Sequence, residues 1–219
     1  MAERQKIAIT IARQMASGGS FLARSLAQRM GFRYVDRDIL NEAAKVLGTE
    51  ERELVGREER LSTFWENLMR NYSYGATEVA YVPVPKRPIY DRDLFDAESK
   101  VIREIAAGHD AVIVGRGAFH ILKGHPGLVK VFLHAPLDFR LSRLLAVRGG
   151  GDRDQTRLEM EASDRDKERF MREMTGVNWT DAQSYHLCID TSVVDFTVIE
   201  EMIVQLVEKI RARQGVISV

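Results

Sequence analysis

The sequence predicts an α/β domain built on a mostly parallel sheet with helices on both faces. Short apolar runs alternate with amphipathic helical stretches along most of the 219 residues. The chain opens with a strand that passes through a Ser-Gly-Gly turn straight into a helix. A hydrophobic content of 45% is enough for a substantial core.

Each element follows from local pattern. Ile7, Ile9 and Ile11 alternate with Ala8, Thr10 and Ala12, which suits a buried central strand. After the turn at Ser17, Gly18, Gly19 and Ser20, helical spacing runs through Leu22, Leu26 and Met30 with Ala23 and Ala27, and Gly31 serves as C-cap. FRYVD reads as a second strand ending at Asp36, and DRDILNEAAKVLG as a helix closed by Gly48. Residues 50–75 are charged and then aromatic, with Phe64, Trp65, Leu68, Met69 and Tyr72 near helical spacing. The three prolines of YVPVPKRPIYD then forbid helix. Residues 50–90 are therefore expected to form an inserted subdomain within the single domain 1–219.

From Asp91 a helix carrying Phe95, Val101, Ile102 and Ile105 leads to Gly108. AVIVGRG gives a strand and glycine turn, LVKVFLHA a strand, and PLDFRLSRLLAVRGGG a helix running into glycines. RDQTRLEMEASDRDKERFMREMTG is a long charged helix, YHLCIDTS the last strand and VDFTVIEEMIVQLVEKIRARQ a closing amphipathic helix.

Composition excludes several classes. Lys plus Arg and Asp plus Glu both number 32, so no global basic field draws nucleic acid. The single cysteine, Cys188, excludes an intrachain disulfide framework, and its apolar setting in YHLCID predicts a buried core thiol. No run of about 18 apolar residues occurs, so no membrane span is expected and a cytoplasmic location is. The five histidines lack metal-ligand spacing, His120 and His125 being separated across a glycine, and no GxSxG elbow is present.

The opening strand-turn-helix has the geometry of an anion site, because the first helical N–H groups have no carbonyl partners of their own. Against the phosphate-loop pattern GxxxxGK[ST], Gly18 takes the second glycine and Ser20 the hydroxyl that would hold magnesium. Gly19 stands in the lysine's place and Arg13 in the first glycine's. In sheets of this kind ligands bind at the carboxyl ends of the strands, which gathers Arg13, Ser17 to Ser20, Asp36, Arg37, Gly115 to Gly117, Thr191 and Ser192 around one crevice. Arg116, between two glycines, is free to grip a phosphate with two parallel hydrogen bonds. A run of cations, Arg140, Arg143, Arg148, Arg153, Arg157, Arg165, Lys167 and Arg169, reads either as a lid over residues 140–175 or as solvated pairs with Asp164, Asp166, Glu168 and Glu173.

Taken together, ITIARQMASGGSFLARSLAQRMGFRYVDRDIL, AVIVGRGAF, VKVFLHAPLDFRLSRL, SDRDKERF and YHLCIDTS make the chain resemble the cytidylate kinase-like family, a nucleoside monophosphate kinase branch of the phosphate-loop NTPases. The resemblance runs in order over nearly the whole chain except residues 50–90. It implies a three-layer phosphate-loop fold with a mostly parallel five-stranded sheet and a helical lid, using ATP and Mg2+. It implies that Ser17, Gly18, Gly19 and Ser20 cradle the donor phosphates, Ser20 touching the metal. By the same resemblance Arg116, with Asp36 and Arg37, would serve the acceptor, and Arg165 and Arg169 would face the transferring phosphoryl group beside Arg140 and Arg143.

The sequence departs from the cytidylate kinases at Gly19, Ala12 and Gly117, where they carry the loop lysine, a carboxylate and an aspartate, and in the base-reading segment around Asp36, Arg37 and Asp38. Arg13 is the nearest cation to stand in for the lysine. The activity expected is transfer of a phosphoryl group from ATP to a CMP-like or other small phosphorylated acceptor. Two other readings stay open: a nucleotide-binding module with weak catalysis, and a homodimer formed through residues 64–90 with an idle site.

Overall fold

The computed structural model describes residues 5–38, 40 and 92–217, with side chains through residue 213. The expected helix closed by Gly48, the insertion 50–90 and the dimer segment 64–90 lie outside the described residues, apart from Arg37, Asp38 and Leu40.

Five parallel strands form one sheet in the order β2-β3-β1-β4-β5. They are β1 (Ala8–Arg13), β2 (Arg33–Val35), β3 (Ala111–Val114), β4 (Leu128–His134) and β5 (Leu187–Asp190). The helices are α1 (Gly19–Met30), α2 (Arg92–Gly108), α3 (Ala118–Ile121), α4 (Leu137–Arg148), α5 (Arg153–Thr175) and α6 (Phe196–Ile217), with a 3-10 turn at Ala182–Ser184. Every strand and helix expected within the described residues is present. The short α3 and the 3-10 turn went unforeseen, since each is too brief to show a period.

The alternation in β1 sets the layers. Ile7, Ile9 and Ile11 face α1 and α6, meeting Leu22, Leu26, Ile199, Ile203 and Val207. The opposite face is built from smaller residues, Ala8 packing with Phe95, Ile102, Ile105 and Ile121 of α2 and α3. β1 lies between β3 and β4, Ile9 standing opposite Val112 on one side and Val129 on the other. A strand covered on both faces and paired on both edges is largely apolar; here the buried Thr10 satisfies its hydroxyl by donating to Val129 O at 3.2 Å, and Arg13 ends the strand.

α1 opens at Gly18 and closes at Gly31, both in the left-handed region, and the Gly31 N–H reaches back to the carbonyls of the last turn. α5 is capped by Asp152, whose carboxylate accepts from Gln155 N at 2.8 Å. A small third cluster of Ala12, Phe119, Phe132, Met171, Trp179 and Tyr185 seats α5 against the carboxyl end of the sheet.

Cys188 corrects one expectation: it is exposed. β5 is an edge strand on which Leu187 and Ile189 face the α6 side, so the intervening Cys188 turns to the opposite face, where its thiol lies 4.0 Å from Ala182 O. Among the described residues no helix is long and apolar enough to cross a membrane.

Candidate active site

The turn between β1 and α1 is wound tightly, with Ala16 at φ 61 and Gly18 at φ 81. Ser17 is wholly internal. Its N–H donates to Gln14 O at 3.3 Å, and its hydroxyl donates to Gln14 O at 2.9 Å and Leu133 O at 3.3 Å. The N–H groups of Gly18, Gly19 and Ser20 have no acceptor among the described residues, and α1 has no side-chain cap. These are donors of the kind that hold phosphate oxygens at a helix start.

Arg13 explains the missing lysine in steric terms. Its Cβ and Cγ fill the space in front of Gly19, 2.8 Å from where a Cβ would stand. Its guanidinium runs on across Gly115, where a Cβ would collide with Nη1. The head therefore points toward the ends of β2 and β3. Burial lowers its pKa, against the opposing pull of Tyr34, Asp36 and Asp164.

Beyond the Arg13 head lies a cavity of about 420 Å³, its open mouth included, at the carboxyl ends of β1 and β3 and under α5. Three cations line it, Arg13, Arg116 and Lys167, together with the apolar Phe119, Phe170, Met171 and Trp179. Gly115, Arg116 and Gly117 form its floor with three successive left-handed residues, at φ 77, 51 and 71. For arginine that conformation is strained, and strain of this sort collects at functional sites.

Arg116 is already engaged. Its Nε donates to Glu98 Oε2 at 2.8 Å, its Nη2 donates to the same oxygen, and the guanidinium lies over Phe170 at 4.4 Å. Glu98 is fully buried, and its Oε1 has no partner among the described residues. Burial pushes its carboxyl up, with Arg116 pulling the other way.

On α5, Asp164 ties this helix to α4 and to the turn after β1. It accepts from Met15 N at 2.8 Å, from Lys167 Nζ at 3.0 Å and from Arg140 Nη1 at 2.7 Å. Lys167 lies 5.9 Å from the Trp179 ring centre, and burial lowers its ammonium to about 8, partly offset by Asp164.

The profile of the cytidylate kinase-like family matches residues 8–193. The chain belongs to the cytidylate kinase-like family. Among solved structures it is similar to an uncharacterized protein from Eubacterium ventriosum, at 22% identity and a TM-score of 0.67, covering 93% of this chain and 99% of that one. It is also similar to a gluconokinase from Sinorhizobium meliloti, at 12% identity and a TM-score of 0.54, covering 99% and 100%. The second likeness shows that the chain shares the fold of that kinase. No curated protein matches the chain in sequence.

Within this kinase-like frame the expected residues fall in three places. Gly18, Gly19 and Ser20 stand at the loop mouth with their amides open, whereas Ser17 turns inward. Arg13 and Arg116 reach the cavity. Asp36, half-buried, accepts from Asp38 N at 3.1 Å, lies 4.0 Å from Arg24 and helps to push Tyr34 up to about 12 after burial; Arg37 is exposed.

The cations of the expected lid divide. Arg140 is buried and holds the backbone, its Nε donating to Ala135 O and its Nη1 to Met15 O, both at 2.9 Å. Arg143 lies between the rings of Phe139 and Phe196, with Nη1 3.0 Å from the position of a Gly18 Cβ. Arg165 and Arg169 are exposed on α5, and Arg165 pairs with Glu161 at 3.7 Å; neither lines the cavity. The residues not singled out as sites from the sequence are Lys167, Glu98, Asp164 and Trp179. Lys167 falls on the inward stripe Thr156, Met160, Asp164, Lys167, Met171, a spacing that marks it. Glu98 likewise interrupts the apolar stripe Phe95, Ile102, Ile105 of α2.

Proposed function

We propose that the chain is an ATP-dependent phosphotransferase that moves a phosphoryl group to a small phosphorylated acceptor, a nucleoside monophosphate of the CMP type being the preferred one. The carrying observation is the junction at the end of β1: unclaimed amides at Gly18 to Ser20 on one side, and a cavity with three cations on the other, joined by Arg13. Family membership supports phosphoryl transfer as the chemistry.

The open amides and the Ser20 hydroxyl suit the phosphates of ATP and their magnesium. Among the described residues no group of three or more His, Cys, Asp or Glu side chains offers a separate metal cage, so the ion would come in with the nucleotide and neutralise charge on its phosphates. The acceptor oxygen of a monophosphate is already ionised, so the protein need not supply a base. What it supplies is position and positive charge in a partly enclosed space.

The test is a coupled assay of ADP formation across a panel of monophosphates, with thermal shift by ATP measured in parallel. ADP formation that depends on CMP, and that falls in Arg13→Ala while the ATP shift persists, supports the reading. An ATP shift with no acceptor-dependent turnover reduces the protein to a binding module. No shift with any nucleotide rejects the assignment.

A further inference from the structure

We infer that Lys167 and Arg13, rather than Arg116, hold the anionic group of the acceptor, and that Arg116 is a positioning residue whose charge Glu98 already answers. This rests on reading the cavity as the acceptor side of the proposed kinase.

The three cations differ in what they already have. Arg116 gives Nε and Nη2 to a fully buried carboxylate and its face to Phe170. An incoming phosphate would gain little from a guanidinium so occupied, and would have to unmake a buried pair to use it fully. Arg13 makes no hydrogen bond or ion pair among the described residues. Among the described residues Lys167 pairs with one carboxylate, Asp164, which also serves Arg140 and the Met15 N–H, and the Trp179 ring lies beside it. Two carboxylates, Asp164 and, on the Arg13 side, Asp36, therefore face the three cations Arg13, Arg140 and Lys167, and positive charge is left in excess beside the cavity. A phosphate dianion supplies what is missing, and the aromatic wall of Phe119, Phe170 and Trp179 suits a planar organic part attached to it.

The charged groups facing Lys167 come from each element around it. They are Asp164 on its own helix, Arg13 from β1, Arg140 from α4 and, across the cavity, Arg116 with Glu98 behind it. The cations outnumber the carboxylates, in keeping with an ammonium that loses its proton near pH 8.

Trp179 lines the cavity and provides the readout. The chain has two tryptophans, so Trp65→Phe in the full-length protein leaves Trp179 as the sole emitter. Its fluorescence is titrated with inorganic phosphate and with CMP. Lys167→Gln and Arg13→Gln should each weaken both probes about ten-fold or more, as expected for lost hydrogen bonds to a charged group. Lys167→Arg should restore affinity. Arg116→Gln, or Glu98→Gln with Arg116→Gln if the single variant unfolds, should change affinity less than about three-fold.

A phosphate monoester is fully dianionic above about pH 7, so CMP binding that weakens from pH 7 to pH 9.5, and no longer does so in Lys167→Arg, reports the lysine. Loss of binding in the Arg116 variants with retention in Lys167→Gln overturns the inference. So does a wild-type cavity that answers neither probe. An ATP thermal shift and turnover surviving that last result would leave the kinase reading standing, so the two failures are distinct.

Discussion

Arg13 and Gly19 compete for one space: a Cβ at residue 19 would stand 2.8 Å from both Cβ and Cγ of the arginine. The arginine arriving from the strand therefore fills the space that a side chain rising from the helix at residue 19 would need. Gly19→Lys alone should strain the loop, costing about 1–3 kcal/mol as overpacking does, and should reduce the ATP thermal shift. Arg13→Gly with Gly19→Lys vacates the space and should recover both stability and the ATP shift. A single Gly19→Lys variant with wild-type melting would show that the two side chains do not exclude each other.

The Glu98–Arg116 pair makes a second prediction, on stability. Arg116→Met strands a buried carboxylate that already carries one unpartnered oxygen. The expected cost is about 3–5 kcal/mol. Glu98→Met combined with Arg116→Met removes both charges, and in urea unfolding it should cost much less than the sum of the two single changes.

Lys167 makes stability depend on pH. Its ammonium is held at about 8 in the folded chain against 10.5 as the ordinary value, so between these pH values the unfolded state binds the extra proton. Stability then rises with pH across that window. The unfavourable contribution is present in full below pH 8 and is relieved by pH 10.5. The unfolding free energy of the wild type minus that of Lys167→Met should accordingly become more positive from pH 8 to pH 10.5, and a difference independent of pH would contradict the buried ammonium.

Much of this was legible in the sequence, and the exceptions share a cause. The apolar run from Ile7 to Ala12, broken by Thr10, marks β1 as a central strand, since a strand covered on both faces buries side chains on both of them. The glycines at 18 and 31 bounded α1 because the chain there needs positive φ. Cys188 was misread because composition does not tell an edge strand from a central one. On α5 the run of cations includes Lys167, Arg165 and Arg169 alike, and helix phase decides which points inward: Lys167 lies on the stripe with Met160 and Met171, and Arg165 and Arg169 lie off it. The engagement of Arg116 by Glu98 joins residues on two different elements, and no local pattern shows that pairing.

Asp164 should prove the most sensitive single position on α5, because one carboxylate answers a loop amide and two cations. Asp164→Asn keeps an oxygen able to accept from Met15 N, and removes the charge together with the acceptor that faces Arg140. Arg140 is buried and Lys167 half-buried, and the expected loss is about 3–5 kcal/mol, mostly the cost of leaving the buried Arg140 charge without its partner. Asp164→Ala removes the acceptor as well, and the further loss of about 1–3 kcal/mol would measure the Met15 contact. Denaturant unfolding of the two variants separates the parts. Equal stability of Asn and Ala would mean that the loop amide gains nothing from α5, and wild-type stability in both would mean that α5 is not tied to the loop at all.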